Sequence, residues 1–280
     1  MADEQQGSFL WSVIDKVWNC QSIPKGLRAR DYNKYGWRPD HLDHRDKILT
    51  FALPESSSKD RVDLRPQDPA QIFYQGKLGS CTANAIAAAF EFDQHKEEGC
   101  WEFTPSRLFI YYNERVCEGT VNEDTGASLR DGIKAVSNVG CCPEEMWPYD
   151  ESKYAEEPPV KCFDVAAKNR ATSYHRLDQD LHQLKSCIRE GFPFLFGFMV
   201  LSSFEHPTVA RTGFMKMPQK GDKPMGGHAV CAVGFDDDQE VIICRNSWGS
   251  GWGDEGYFYM PYRYISHPQL ANDFWTIRWV

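Results

Sequence analysis

The sequence predicts an α+β fold in which two lobes of different class follow one another along the chain. Helix-type patterns fill residues 61–172, and patterns typical of antiparallel strands fill 173–280. Residues 1–60 differ from both, because they hold one short apolar stretch, Phe9 to Trp18, within polar sequence broken by glycine and proline. We therefore expect an N-terminal extension, a helical lobe and a β lobe, with a cleft between the lobes as the place for a site.

The helical lobe is expected to contain helices with recognisable ends. The first covers CTANAIAAAFEFDQHKEEG, from Cys81 to a C-cap at Gly99, and its apolar first half predicts burial. The second is expected to open with Thr104 as N-cap and Pro105 in the first turn. The third is expected to begin at Ser128 with a capping box in the sequence SLRD.

Strand-type runs follow one more predicted helix, DLHQLKSCIREG, in the second part of the chain. Their short lengths and close spacing predict antiparallel pairing. The aspartate triplet at 236–238 separates two of the runs and is expected to form a hairpin turn rather than a metal site. The predicted strands are 194–201, 228–235, 240–246, 256–262 and 274–280.

The composition argues against several classes of function. The net charge is −9 and the pI about 5.4, which disfavours nucleic acid as a partner, since a nucleic-acid binder needs a basic surface. The longest apolar run, 192–201, is broken by Pro193 and Gly197 and is too short to cross a bilayer. The N-terminus, MADEQQGSFLW, is acidic where a secretory signal is basic. We expect no membrane partner, no signal peptide and an intracellular protein.

The cysteines are not expected to form a disulfide frame or a metal site. The chain has 10 cysteines but shows no export signal, and several lie in apolar runs typical of buried thiols. The close pair Cys141 and Cys142 is adjacent in sequence, and adjacent residues rarely share one metal ion. His41 and His44 lie in the charged sequence DHLDHRD, which predicts a solvated loop. No metal and no organic cofactor is therefore expected.

Cys81 is the candidate nucleophile. It comes directly before a helix, where unpaired N–H groups and the helix dipole favour a thiolate with a pKa below its ordinary value. Gly79 allows a substrate backbone to approach closely. Taken alone, this segment is equally compatible with an inert cysteine at the start of a core helix.

Three further residues complete a catalytic set. His228 follows two glycines at the start of a predicted strand and is the candidate base, and Asn246 ends another strand and offers an amide to orient the imidazole. Trp248 is placed to shield that hydrogen bond from water. Gln75 offers side-chain N–H groups to an oxyanion beside the backbone N–H of Cys81. These groups are far apart in sequence and are expected to meet across the cleft.

These segments resemble the papain-like cysteine peptidases, which include the cathepsins. The sequence LGSCT at 78–82 matches the family pattern C-G-[SA]-C-[WY] at Gly, Ser and Cys, and NSWGSGWGDEGY is a long and specific match. MGGHAV at 225–230 looks most like the cathepsin B branch. TGASLRDGIKAVSNVGCC, followed by WPY, resembles the family's central helix region, and the resemblance covers roughly residues 61 to 280.

The resemblance implies a papain-like fold, with a helical lobe, an antiparallel β-barrel-like lobe and the active site in the cleft between them. It also implies catalytic roles for Cys81, His228, Asn246 and Gln75. Gly79, Gly126 and Ala127 would hold the substrate backbone, with Gly197 and Ala229 as walls of the main specificity pocket and its floor near Trp275 or Thr276.

Three positions depart from the family pattern. Leu78 replaces a cysteine, so the disulfide that this cysteine makes is absent; Thr82 replaces an aromatic residue; and Ala127 replaces a glycine. Together with the lack of a recognisable secretory segment, these departures make the sequence resemble the non-secretory microbial and large-virus relatives of the family. The implied location is inside a cell or within a virus particle.

The implied activity is a cysteine endopeptidase that hydrolyses peptide bonds of proteins or peptides through a thioacyl-enzyme at Cys81. Two alternatives stay open on the sequence. The same triad serves acyl transfer or deamidation, and a silent homologue would keep the fold for binding alone. The N-terminal extension would either lie in the cleft as an intramolecular inhibitor or pack on the back of a lobe as a structural layer.

Overall fold

The computed structural model describes residues 35–52, 59–68, 71–99 and 103–278. The predicted apolar stretch from Phe9 to Trp18 lies outside these residues. Within the described ranges, no helix combines the length and apolarity needed to cross a membrane.

The described residues form a sheet with helices packed against it. The strands are β1 (Ile48–Leu49), β2 (Arg61–Asp63), β3 (Ser173–Leu177), β4 (Phe194–Leu201), β5 (Pro224–Asp236), β6 (Val241–Arg245), β7 (Tyr257–Pro261) and β8 (Ala271–Arg278). The helices are α1 (Cys81–Glu98), α2 (Arg107–Glu118), α3 (Leu129–Asn138), α4 (Val160–Ala166), α5 (Leu181–Arg189), α6 (Pro207–Thr212) and α7 (Tyr262–Ile265). Short 3₁₀ turns cover Arg65–Gln67, Glu151–Lys153 and Ser202–Glu205.

The strands form one sheet of 8 strands in the order β1-β3-β8-β4-β5-β6-β7, and β2 pairs with β5. All pairs are antiparallel except β1 with β3, which is parallel. The sequence predicted β4 with its observed ends, whereas β5 begins earlier than expected, at Pro224. It missed β1, β2 and β3, and the first two have only 2 and 3 residues, too short to show an alternating pattern.

Helix α1 is the centre of the helical part. It packs against β5 on one side and against α2 and α3 on the other, which explains its nearly complete burial. Its alanines, at 83, 85 and 87–89, allow close approach on several faces. The helix ends at Gly99 in the left-handed conformation with φ 65°, as the sequence predicted.

The N-terminus of α2 differs from its predicted cap, whereas that of α3 matches its prediction in part. The N-cap of α2 is Ser106, whose side chain accepts from the N–H of Phe109, because Thr104 instead donates to Glu91. In α3, Ser128 accepts from the N–H of Asp131 as predicted, but its own N–H donates to Glu118 at 2.8 Å. The capping box is therefore only half formed.

The predicted turn between β5 and β6 is present. Asp236 pairs with Val241, and the N–H groups of Asp238 and Gln239 donate to the Asp236 carboxylate at 2.9 and 3.0 Å. This hairpin fixes the register of the two strands whose other ends carry His228 and Asn246.

Candidate active site

Cys81 is the first residue of α1, and its side chain is fully buried. The N–H groups in the first turn of a helix have no acceptor within the helix, and in α1 these groups lie at the end that carries Cys81. The backbone N–H of Thr82 and that of Ala229 both interact with the sulfur. Because Ala229 follows His228 in β5, the sulfur lies against the strand that carries the candidate base.

The pKa of the Cys81 thiol moves in the direction opposite to that expected from its helix position. Burial raises the pKa to about 12, while the N–H groups of Ala229, Gly36 and Thr82 lower it by less. The desolvation of a thiolate here outweighs the helix N-terminus, since a segment that includes Gly36 covers the sulfur. Burial beneath the arm therefore favours the neutral thiol.

His228 and Asn246 form the predicted imidazole–amide pair. The Nε2 atom of His228 lies 2.9 Å from Oδ1 of Asn246, and both side chains are buried. The amide oxygen also accepts from the N–H of Ser247 at 2.8 Å, which holds it in place. An oxygen acceptor at Nε2 favours the tautomer with the proton on Nε2 and leaves Nδ1 as the basic nitrogen.

Aromatic rings enclose the imidazole. The ring of Trp248 lies 5.0 Å from that of His228, centroid to centroid, at an interplanar angle of 32°. Phe198 lies 5.7 Å away in an edge arrangement, and Tyr35 lies 6.1 Å away. Trp248 thus takes the shielding position expected from the sequence, while the contribution of Tyr35 was not foreseen.

Gln75 is fixed at both ends of its side chain. Its Nε2 donates to the carbonyl oxygen of Leu78 at 3.0 Å, and its Oε1 accepts from the hydroxyl of Ser247 at 2.6 Å. Its backbone N–H donates to Ser247 as well, at 2.9 Å. Ser247 is thus a positioning residue that the sequence reasoning missed, although its place directly after Asn246 could have indicated it.

Asp124 joins the loop before the nucleophile to the loop that faces it. Its Oδ1 accepts from the N–H of Gly79 at 2.9 Å and from the hydroxyl of Tyr111. Tyr111 also accepts from the N–H of Gly126 at 3.3 Å. This network holds two of the residues expected to bind substrate backbone, and the sequence reasoning did not identify it.

The N-terminal extension crosses this site. We call its described part, residues 35–52, the arm. The arm runs parallel to both walls of the cleft at Gly36 and Trp37: Ala127 donates to the carbonyl of Gly36 at 2.9 Å, and Trp37 donates to that of Gly227 at 3.0 Å. Arg38 then donates back to Ala127 at 3.1 Å. The main chain of the arm thus bridges the helical and β parts of the molecule beside Cys81.

Trp37 fills a pocket beside the strands β4 and β5. A Cβ atom at Gly197 would lie 1.8 Å from its indole ring, so only glycine leaves room there. Ala229 pairs with Gly197 across the ladder. On the other side Gly197 pairs with Asn272, because a bulge between Leu195 and Gly197 shifts the register of β8. Asn272, rather than Trp275 or Thr276, therefore lies opposite the predicted pocket wall.

A buried charged cluster anchors the arm beyond the pocket. Asp40 donates its N–H to Asp273 at 2.7 Å and accepts from the indole of Trp275 at 2.8 Å. Burial and the Asp273 carboxylate raise the pKa of Asp40 to about 6, and hydrogen bonds from the N–H of Arg130 and the indole of Trp275 oppose this shift in part. The cluster comprises Asp40, Asp46, Arg130, Arg176, Asp273 and Trp275.

The thiols and acidic groups do not assemble into a metal site in the described part of the chain. There, no group of three or more His, Cys, Asp or Glu side chains is placed to hold a metal ion. The cysteines described as free thiols are Cys81, Cys117, Cys141, Cys142, Cys162, Cys187, Cys231 and Cys244.

Comparison with known sequences places residues 58–275 in the profile described as papain family cysteine protease. An uncharacterised peptidase C1-like protein of Acanthamoeba polyphaga mimivirus is 45% identical over 269 residues, covering 87% of this chain and 86% of that protein. A cathepsin B-like protein of Giardia intestinalis is 28% identical over 225 residues, covering 74% and 69%.

Solved structures match as well. The structure of xylellain, a cysteine protease from Xylella fastidiosa, has a TM-score of 0.83 and 44% identity and covers 91% of this chain and 99% of its own. Procathepsin L 3 of Tenebrio molitor has a TM-score of 0.68 at 17% identity, covering 99% and 90%, a likeness of fold.

Proposed function

The chain belongs to the papain family of cysteine proteases and is a cysteine endopeptidase with that family's two-lobe α+β fold, and we propose which of its residues carry out the reaction. The proposed catalytic set lies where α1 meets β5 and the end of β6, and consists of Cys81, His228, Asn246 and Gln75.

In the proposed acylation step, the Cys81 sulfur attacks the scissile carbonyl carbon as a thiolate, after its proton has passed to Nδ1 of His228. Asn246 holds Nε2 at 2.9 Å and so keeps the imidazole in the tautomer that this transfer requires. The C–N bond breaks as His228 returns the proton to the leaving amine. Water, deprotonated by the same imidazole, then hydrolyses the thioester.

The oxyanion formed in each step needs donors already in place. We assign the backbone N–H of Cys81 at the helix start and the amide of Gln75 to this role. The amide nitrogen carries two N–H groups, and one of them donates to Leu78 at 3.0 Å. Because Ser247 holds the amide oxygen, the second N–H keeps a fixed direction without cost at the moment of reaction.

The single observation that carries this proposal is the main-chain pairing of the arm at Gly36 and Trp37. An extended backbone pairs with Ala127 and Gly227 directly beside Cys81, so the cleft binds a peptide main chain in the place where cleavage would occur. Gly79 and Gly126 lie against the arm at Gly36, with no side chain between them and its backbone. We propose that substrate uses these same backbone partners, with Trp248 beside the leaving group and the pocket of Gly197 and Ala229 for a substrate side chain.

The arm itself does not present a cleavable bond. The N–H of Gly36 interacts with the sulfur, whereas its carbonyl oxygen is turned away to the N–H of Ala127. The nucleophile therefore faces a donor rather than an electrophilic carbon. Procathepsins are among the similar solved structures, and we propose that this chain is likewise a proform, inhibited by its own residues 1–60.

This assignment goes with a proposed division of the chain: the extension at 1–60, a helical lobe at 61–172 and a β lobe at 173–280. We also propose that the protein acts inside a cell or within a virus particle. A mimivirus relative and the free thiols of the described cysteines support this location. Recovery of as much of the protein from the medium as from inside the cells that produce it would contradict this location.

The test uses the Trp37→Ala chain, in which the indole no longer fills the cleft, and compares it with the same chain carrying Cys81→Ala or His228→Ala on a peptide library read by mass spectrometry. We expect new peptide termini with the Trp37→Ala chain and none when Cys81→Ala or His228→Ala is added. Cys117→Ala is the matched control, because Cys117 is exposed on α2 and should leave cleavage intact. Mass changes at glutamine without chain cleavage would instead favour a deamidase, and cleavage by Cys81→Ala would contradict the assignment.

A further inference from the structure

A buried carboxyl group lies directly behind the nucleophile. Glu114, in the middle of α2, is fully buried, and its Oε1 accepts from the hydroxyl of Thr82 at 2.7 Å. Thr82 is fully buried too and is the residue that follows Cys81 in the first turn of α1. The hydrogen bond therefore ties α2 to the turn that aims the sulfur.

The structure makes room for this acid, and within the described ranges no basic side chain forms an ion pair with it. In the described residues, Oε2 of Glu114 has no hydrogen-bond partner, and it lies 2.6 Å from where a Cβ atom on Gly132 would stand. A side chain at position 132 would displace the carboxyl group. The site is thus shaped by three residues from three helices, Thr82, Glu114 and Gly132.

The charged groups nearest to Glu114 are engaged elsewhere. On its own helix, Arg115 donates to the carbonyl groups of Tyr111, Val121 and Tyr154. Arg38 of the arm pairs with Glu118. From α3, Asp131 acts on Glu114 and adds repulsion, and from α1 the acid faces Cys81.

Such a surrounding favours the neutral acid. Burial raises the pKa of Glu114 to about 8, and the hydrogen bond from Thr82, with Arg115 and Arg38, lowers it by less. A charge on Glu114 in turn raises the pKa of the Cys81 thiol and so disfavours the thiolate. The protonation state of this acid therefore acts on the nucleophile.

We propose that Glu114 is a positioning residue for the peptidase reaction, which as a neutral acid holds Thr82 and the first turn of α1 and on ionisation lowers the reactivity of Cys81. This rests on the proposed role of Cys81 as nucleophile. The tests below separate the two proposals, since the state of Glu114 is read without catalysis.

The first test is the infrared spectrum of the full chain near pH 6.5. A protonated carboxyl group has a C=O stretch distinct from that of carboxylates. We expect one such band to be lost in Glu114→Gln but kept in Glu97→Gln, a matched change at an exposed position of α1. Coincident spectra for the wild type and Glu114→Gln would overturn the proposal.

The second test is stability against pH. Unfolded Glu114 loses its proton near pH ~4.3, whereas the folded group keeps it to about 8, so the wild type loses stability as the pH rises through this window. Glu114→Gln lacks this loss, and its denaturation midpoint should rise relative to the wild type between these values. Parallel profiles would contradict a buried neutral acid.

The third test reads the nucleophile. In chains that also carry Trp37→Ala to clear the cleft, alkylation of Cys81 by iodoacetamide is followed by mass spectrometry at pH 6.5 and pH 9. We expect the ratio of the rate at pH 9 to that at pH 6.5 to be roughly threefold or more higher in Glu114→Gln than with Glu114 present, since charge repulsion is removed. Equal ratios would overturn the link between Glu114 and Cys81.

If Cys81→Ala kept peptidase activity, the assignment of the nucleophile would fail, while the spectral and stability results would stand.

Discussion

The backbone N–H of Trp37 donates to the carbonyl oxygen of Gly227 at 3.0 Å, one residue before His228. This bond places the arm against the strand that carries the proposed base. The side chain of Trp37 also blocks the cleft, because its indole is 3% exposed and fills the space that Gly197 leaves open. The arm is therefore bound in the cleft by one large apolar contact, that of Trp37, with main-chain hydrogen bonds on either side of it.

Trp37→Ala is expected to activate the full-length chain. Truncating a buried tryptophan costs roughly 3–5 kcal/mol, which shifts the balance between docked and released arm by far more than tenfold. Because only chains with a released arm cleave substrate, hydrolysis of a fluorogenic peptide by the intact chain should rise by roughly tenfold or more. Leu42→Ala is the control, because this side chain of the arm is 86% exposed. Unchanged activity in a folded Trp37→Ala chain would mean that the arm does not inhibit.

Gly36→Ala should activate by a different route. A Cβ atom at this position would lie 1.7 Å from the carbonyl oxygen of Gly79, which is backbone and has little freedom to move. The arm would have to leave its place beside Cys81, while Trp37 itself stays intact. Gly251→Ala serves as the control, since a Cβ atom there meets nothing within 4 Å. Peptide hydrolysis by the intact chain measures the effect, and a Gly36→Ala chain as inactive as the wild type would refute this packing argument.

Docking of the arm is expected to weaken as the pH rises from about 4 to 6. Burial and the Asp273 carboxylate raise the pKa of docked Asp40 to about 6, whereas a released, solvated aspartate titrates near ~3.9. The docked state thus holds a proton that the released state has lost in this window. Its stability is greatest below the lower value and is lost as the pH rises through the upper one. The arm should therefore inhibit more strongly in acid.

The ratio of wild-type activity to that of Trp37→Ala measures this effect, because the pH dependence of the chemistry cancels. The ratio should increase between pH 4 and pH 6 and then level off. Asp40→Asn mimics the protonated carboxyl group and should give a ratio that is flat across this window. A ratio that falls with rising pH in the wild type would contradict the assignment of Asp40.

Much of this fold could be predicted because its long elements carry strong local signals. The helix Cys81–Glu98 is apolar almost all round in its first half and ends in a glycine cap at Gly99, and the strand Phe194–Leu201 is apolar throughout. The elements that were missed lack such signals. The two residues of β1 pair only because Arg176 and Leu177 offer a partner far away in sequence.

The site shows the same division. Specific motifs led to the proposed catalytic residues Cys81, His228, Asn246 and Gln75, of which His228 and Asn246 are hydrogen-bonded to each other in the structure. Asp124 and Glu114 could not be predicted, since each acts through a contact that only folding creates, with Gly79 and Thr82 respectively. The raised pKa of Cys81 was missed for a related reason: the sequence indicates a helix N-terminus but not the arm that covers it.

Ser247→Ala is expected to lower kcat while leaving KM nearly unchanged. The hydroxyl donates to Oε1 of Gln75 at 2.6 Å and is one of the two contacts that fix the direction of the amide, beside the bond from Nε2 to Leu78. Without it the amide is held at one atom only, so its second N–H is less firmly directed toward the oxyanion that forms only in the transition state. Removing an oxyanion donor outright costs about 10²–10³ in kcat, and loosening one should cost roughly tenfold.

The measurement is steady-state hydrolysis of a peptide in the Trp37→Ala chain, with Ser173→Ala in the distant strand β3 as control. In the same chain, Ser247→Ala combined with Gln75→Ala should be no slower than Gln75→Ala alone, because the serine acts through that amide. Additive losses in the double variant would show that Ser247 works by another path.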